Sequence, residues 1–203
     1  MQPAPEHDPY APMRAFVHGL DDLIEHQEGT SAGTSVTVHA VKERLSALLK
    51  QRPALPAQVR MVRPDCYARH LLYGDPRGRY EVVVMAWSPG QKTPVHDHSG
   101  IWCVEGVFEG VVDVTRYDLE ALIGNDVARL RPTEVIHAGR GECGALIPPV
   151  EYHRISNPYD RPAYTVHVYG GRMRTCRVFV ERGEDTYDIA VKDLSFTSSQ
   201  PAL

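Results

Sequence analysis

The chain has 203 residues, 42% hydrophobic and 24% charged, enough for one globular domain with a sizeable core. Lys plus Arg total 22 against 26 Asp plus Glu, a formal net charge of −4 with no basic block, which argues against nucleic acid or an anionic membrane surface as a partner. No apolar run approaches the roughly 20 residues that a membrane helix needs.

The N-terminus, MQPAPEHDPYAP, is polar and Pro-rich and reads as a flexible arm. It lacks the basic-then-apolar layout of a secretory signal, so the expected compartment is the cytoplasm. The four cysteines, Cys66, Cys103, Cys143 and Cys176, form no C-x-x-C pair. A structural zinc site is therefore not expected, and in a reducing compartment free thiols are the default.

Met13–Glu28 carries Phe16, Leu20 and Ile24 at four-residue spacing, which predicts an amphipathic helix. Val38–Gln51 repeats the signal with Val38, Val41, Leu45 and Leu48, and Pro53 and Pro56 end it. From about Val62 the texture changes. Short Val/Ile/Tyr/Phe-rich runs alternate with Gly/Pro/Asp turns, as in RYEVVVMAWSPG, GVVDVTRYDL, AYTVHVYGG and TCRVFVE. This pattern predicts an all-β barrel or sandwich. SFTSSQPAL reads as a frayed tail. The expected organisation is a single domain over 1–203: arm and helices at 1–60, a β-barrel at 61–185, and a C-terminal tail at 186–203.

His96 and His98 lie one residue apart at the end of an apolar run. In a strand, residues i and i+2 share a face, so the two imidazoles converge while Asp97 points away. A metal needs such convergence from one rigid element, although an isolated H-x-H also fits a pair of ordinary surface histidines. The setting adds weight: Gly90 precedes His96 in a G-x5-H-x-H array, Gly110 follows Cys103 by seven residues, and PPVEYHRISN places His153 after a Pro-Pro turn with Asn157 four residues on.

Gly90–Asn157 resembles the two motifs of the cupin superfamily, G-x5-H-x-H-x3,4-E-x6-G and P-x-G-x2-H-x3-N. Val150 stands where the second motif has glycine. The resemblance implies a jelly-roll β-barrel, here all-β with N-terminal α-helices, and His96, His98 and His153 as metal ligands. The larger departure is Cys103, which occupies the position of the usual glutamate ligand. Glu105 lies two residues beyond, outside the motif spacing, and is not assigned a role. Three neutral imidazoles leave a divalent ion its whole charge, which favours an anionic thiolate ligand.

Cupins with three histidines and no glutamate ligand resemble the thiol dioxygenases, cysteine dioxygenase above all. TVHVY looks like that family's Ser-x-His-x-Tyr segment, mapping onto Thr165, His167 and Tyr169, with Thr in place of Ser. CYARHLLY resembles its Tyr-x-Arg segment, mapping onto Tyr67 and Arg69. Thr115–Leu119 and HVYGGRMRTCRVF look more like the bacterial side of the family. The resemblance implies Fe(II) as cofactor and a small thiol and O2 as partners, with the sulfinate as product. Arg69 would clamp the substrate carboxylate, Tyr169 would face the iron, and Cys103 could join Tyr169 in a thioether.

Relatives that use 3-mercaptopropionate carry Gln near Arg69 and Gly near Cys103, so both residues lean towards L-cysteine. A 3-mercaptopropionate or other mercapto-acid dioxygenase is the alternative, and a non-catalytic metal-binding sensor is the alternative of another class. Arg172 and Arg174 are rival clamps. His137 has no partner at ligand spacing, and His70 faces away from Arg69 in a strand. Oligomeric state has no signature in the sequence.

Overall fold

The computed structural model describes residues 8–27, 34–149, 152–198 and 200–203. The N-terminal arm up to residue 7 and Val150 of the second motif lie outside the described residues. Two helices, α1 (Ala11–Gln27) and α2 (Thr34–Lys50), precede a 3-10 turn at Ala57–Arg60 and eleven strands. The strands are β1 Ala68–Gly74, β2 Glu81–Trp87, β3 Val95–His96, β4 Cys103–Glu109, β5 Val111–Ile123 and β6 Val127–Gly139. They continue with β7 Cys143–Leu146, β8 Tyr152–Ser156, β9 Ala163–Tyr169, β10 Thr175–Gly183 and β11 Thr186–Asp193. No described helix is long and apolar enough to cross a membrane.

An antiparallel sheet of order β1-β2-β9-β4-β7 faces a ring of order β10-β11-β6-β5-β8-β3, which closes where β3 pairs with β10. This is the expected jelly roll with two helices against it. The helices pack on one face of the five-stranded sheet. Met13, Phe16, Leu20, Val41, Leu45 and Leu49 join Val82, Val84, Val104, Val166 and Val168 in one core. The opposite face supplies a second core with Val83, Met85, Trp87, Val107 and Tyr169. β2 and β9 are thus buried on both faces, which explains why EVVVMAW shows no polar alternation. Each large apolar side chain so buried contributes about 1.5–3 kcal/mol.

The motif glycines act through the backbone. Gly90 and Gly110 both hold positive φ, 79° and 83°. A Cβ on Gly110 would also meet Ala163 at 2.9 Å. Gly90 N–H donates to the carbonyl of Asn157 (2.7 Å), and the fully buried Asn157 amide donates to the Arg161 carbonyl (2.8 Å). The two motifs are therefore tied together before any ligand is considered.

The tail expected at 186–203 is corrected. Thr186–Asp193 forms β11, paired with β10 and β6, with Tyr187 buried beside Tyr117. The charged ERGED stretch that looked like the end of the barrel is a hairpin turn, with Glu184 and Asp185 at φ 45° and 61°. Beyond it the chain runs along the edge strand β1. Thr197 N–H donates to the Arg69 carbonyl (2.7 Å), and Ser198 bridges to His70. These contacts cover an edge that would otherwise offer unpaired donors and acceptors.

Candidate functional site

β3 holds only Val95 and His96, so His98 lies past the strand, in a turn where Ile101 N–H donates to the His98 carbonyl (3.1 Å). The strand alternation expected for His-Asp-His therefore covers only half of the motif. The convergence is real all the same. Asp97 is buried and points to β10, where it accepts from Arg177 N–H (2.9 Å) and pairs with the guanidinium (2.5 Å). That anchor leaves the two rings on the other side. His153 is the cross-strand partner of His96. Ring centroids lie 5.3 Å apart for His96–His98, 4.6 Å for His96–His153 and 5.0 Å for His98–His153.

One ring nitrogen from each histidine lies within 4.8 Å of the others, an arrangement that can hold a metal ion. His96 Nδ1–H donates to the Pro94 carbonyl (3.2 Å), which leaves Nε2 with its lone pair. His153 Nε2 is buried with no hydrogen-bond partner, as a ligand atom would be. Burial, with His153 and His98 adding to it, pushes the His96 pKa well below the usual range, so the ring is neutral and able to ligate. The donor set, buried His98 and His153 with half-buried His96 and a free ring nitrogen on His153, fits a divalent transition metal.

The expected outer residues gather around this cluster. On β9, Thr165, His167 and Tyr169 share the inward face, opposite Val107, Glu105 and Cys103 of β4. Trp87 Nε1–H donates to Thr165 Oγ1 (3.0 Å), and Thr165 Oγ1 shares a hydrogen bond with His167 Nε2 (2.7 Å). The His167 and Tyr169 rings lie 5.9 Å apart and nearly parallel. Burial lowers the His167 pKa to about 4, despite the opposing pull of Glu105. Burial first, and then Cys103, raises the Tyr169 pKa well above the phenol range, so it remains a hydroxyl.

Arg69 is 5% exposed, with its Nη2 unpartnered. It lines a small cavity, about 20 Å³, together with Tyr67, His96, Tyr169 and Cys176. Tyr67 stacks on Trp87 at 4.9 Å. The rival arginines are engaged elsewhere. Arg174 pairs with the buried Glu81 (2.6 Å), and Arg172 reaches the Pro76 carbonyl (3.5 Å) away from the cluster. His70 faces the other way, donating to the Met61 carbonyl (2.8 Å). His137 is exposed and bound to Asp113 (2.8 Å). A larger cavity of about 260 Å³ lies behind the cluster, between Ile136, Leu146, Glu105 and His153, away from Arg69 and Tyr169.

Glu105 is the residue that the spacing argument passed over. It is buried, with Oε1 3.5 Å from His153 Nδ1 and Oε2 3.5 Å from His167 Nδ1. Burial favours its protonation, but the facing His153 and His167 rings outweigh this and hold the pKa at about 2. A metal held by the three histidines would therefore have a carboxylate behind His153, where the motif's glutamate would have been a ligand. Its charge would be less bare than three neutral imidazoles alone imply. The period of two from Cys103 would have placed Glu105 on the inner face.

The family model "Cysteine dioxygenase type I" matches residues 19–182. Cysteine dioxygenase type 1 of Rattus norvegicus is 24% identical over 164 residues, 80% of each chain. The Homo sapiens protein of the same name is 23% identical over the same share. Among solved structures, the protein TT1209 from Thermus thermophilus overlays with a TM-score of 0.45 at 22% identity, over 57% of this chain and 93% of that one. With a family match over residues that include α2, both motifs and β9, this chain belongs to the cysteine dioxygenase type I family.

Proposed function

We propose that the protein is an Fe(II)-dependent thiol dioxygenase that converts a small thiol-carboxylic acid, L-cysteine foremost, into its sulfinate, with His96, His98 and His153 as the metal ligands. When bound, the iron supplies the redox chemistry by which both atoms of O2 end on sulfur, RSH + O2 → RSO2H. The observation that carries the reading is the small cavity where Arg69, Tyr169 and His96 meet. It sets a buried guanidinium with a free Nη2 beside a metal-competent histidine cluster.

The protein's own groups have separable tasks in this reading. Arg69 binds the carboxylate through its planar fork, an interaction a buried guanidinium makes strongly. Tyr169 stays protonated and donates a hydrogen bond into the site, and His167 and Thr165 hold the strand face beneath it. Tyr67 and Trp87 form an apolar wall that excludes water.

The test is oxygen uptake by iron-loaded protein with L-cysteine, 3-mercaptopropionate, mercaptosuccinate and homocysteine, with the sulfinate identified by mass. L-cysteine is expected to give the highest kcat/KM, and His153→Ala to lose iron and turnover together. Absence of thiol-dependent uptake by fully iron-loaded protein overturns the reading.

A further inference from the structure

Glu105 needs a physical account. A buried carboxylate is costly unless charges or donors compensate it. Among the described residues no lysine or arginine is paired with Glu105, and its Oε2 has no hydrogen-bond partner. What faces it is histidine: His153 Nδ1 and His167 Nδ1, each at 3.5 Å and each otherwise unpartnered.

The tautomers follow from the carboxylate. An ionised Glu105 can only accept, so the ring atoms aimed at it, His153 Nδ1 and His167 Nδ1, carry the protons. With Nδ1 protonated, His167 Nε2 accepts from the Thr165 hydroxyl, whose oxygen also accepts from Trp87 Nε1–H. For His153 the same carboxylate favours Nδ1–H and leaves the lone pair on Nε2, the nitrogen on the metal-ligand side. The result is a row of facing polar groups across the barrel: Trp87, Thr165, His167, Glu105, His153. At 3.5 Å the two contacts to Glu105 are longer than ordinary hydrogen bonds and hold the rings by charge–dipole attraction.

We infer that Glu105 is a positioning residue for the metal centre: its carboxylate fixes the tautomer and orientation of His153 and ties that ligand to the β9 face through His167. The inference rests on the proposed three-histidine centre. In it, the carboxylate that the motif usually supplies as a ligand acts from behind a ligand instead. A carboxylate behind a metal-bound imidazole raises the ring's basicity and restricts its rotation, and loss of such a partner commonly weakens metal affinity about 10–100-fold.

The experiment uses Glu105→Gln, nearly isosteric, and Glu105→Leu, with His153→Ala as reference. Zn(II) affinity is measured on each full-length protein, and Zn(II)-loaded parent and variants carrying 15N-histidine are compared by NMR. The parent is expected to show His153 and His167 as Nδ1–H tautomers. Both Glu105 variants are expected to bind Zn(II) about 10–100-fold more weakly, with faster exchange of the His153 Nδ1 proton. If Glu105→Leu does not fold, Glu105→Gln carries the test, since its amide oxygen can accept from only one of the two rings. Parent-like affinity and spectra in Glu105→Gln overturn the inference while His153→Ala loses Zn(II). If His153→Ala also binds like the parent, it is the three-histidine centre that fails.

Discussion

Cys103 and Tyr169 are direct cross-strand partners on β4 and β9, both buried on the inner face beside the histidine cluster. Directly opposed residues have Cβ atoms about 4.5–5.5 Å apart, so the sulfur and the ring are neighbours by construction. The cysteine that displaces a ligand in the motif therefore stands against a tyrosine.

This pairing leads to the first expectation, a Cys103–Tyr169 thioether formed during aerobic turnover of the iron-loaded enzyme. The bond replaces S–H and a ring C–H, and the two electrons and two protons released go to O2. Intact-protein mass should fall by two hydrogens in part of the population, and Cys103→Ser should show no such loss. A parent that stays at full mass after many turnovers rejects the crosslink.

Arg69 should set affinity for the substrate carboxylate. A charge-assisted pair contributes about 1.5–3 kcal/mol, so Arg69→Ala is expected to raise KM roughly ten- to hundredfold with iron content unchanged. Arg174→Ala is expected to alter stability through the stranded Glu81 and to leave KM near the parent value. The opposite ranking in steady-state kinetics would move the clamp to Arg174.

Acid should weaken the metal-free fold. The His167 pKa falls from an ordinary 6.5 to about 4 in the folded chain. Between those values the unfolded chain binds a proton that the folded one refuses, so stability drops as pH falls from 6.5 towards 4. Denaturant melts of metal-free protein should show this slope, and His167→Gln should flatten it. An unchanged slope in the variant assigns the acid sensitivity to other groups.

Helix α2 should matter for stability alone. Leu45 is fully buried between the helices and the five-stranded sheet, on the face of β4 opposite Cys103 and Glu105. Leu45→Ala is expected to cost about 2–5 kcal/mol in chemical denaturation. Below the variant's melting temperature kcat should match the parent, and a lost kcat at full folding would contradict the separation of the two faces.

The sequence shows its local arrangements well and its distant ones poorly. His96, His98 and His153 were legible because fixed spacing around Gly90, Gly110 and Asn157 marks them, and helix α2 because its apolar residues recur on one face. Thr165, His167 and Tyr169 were legible as a face because alternation is a local rule. Glu105 escapes a spacing rule written for ligands, because its carboxylate stands behind His153 rather than beside it. The engagement of Arg174 by Glu81, 93 residues away, has no local signature. The same holds for the C-terminal segment, whose contact with Arg69 spans 128 residues. Tyr187 and Ile189 alternate there, but two apolar residues behind a charged turn are too few to mark a strand.

The two buried faces of β9 make heat tolerance and chemistry separately variable on one backbone. Val166 and Val168 answer to the helices, while Thr165, His167 and Tyr169 answer to the histidine cluster. A library that varies Val82, Val84, Val166 and Val168 samples melting temperature with the reaction held constant. One that varies the alternate register samples the reaction and stability together, because that face forms the second core. A lineage built on this strand can move between cool and hot habitats without renegotiating what it does to its substrate.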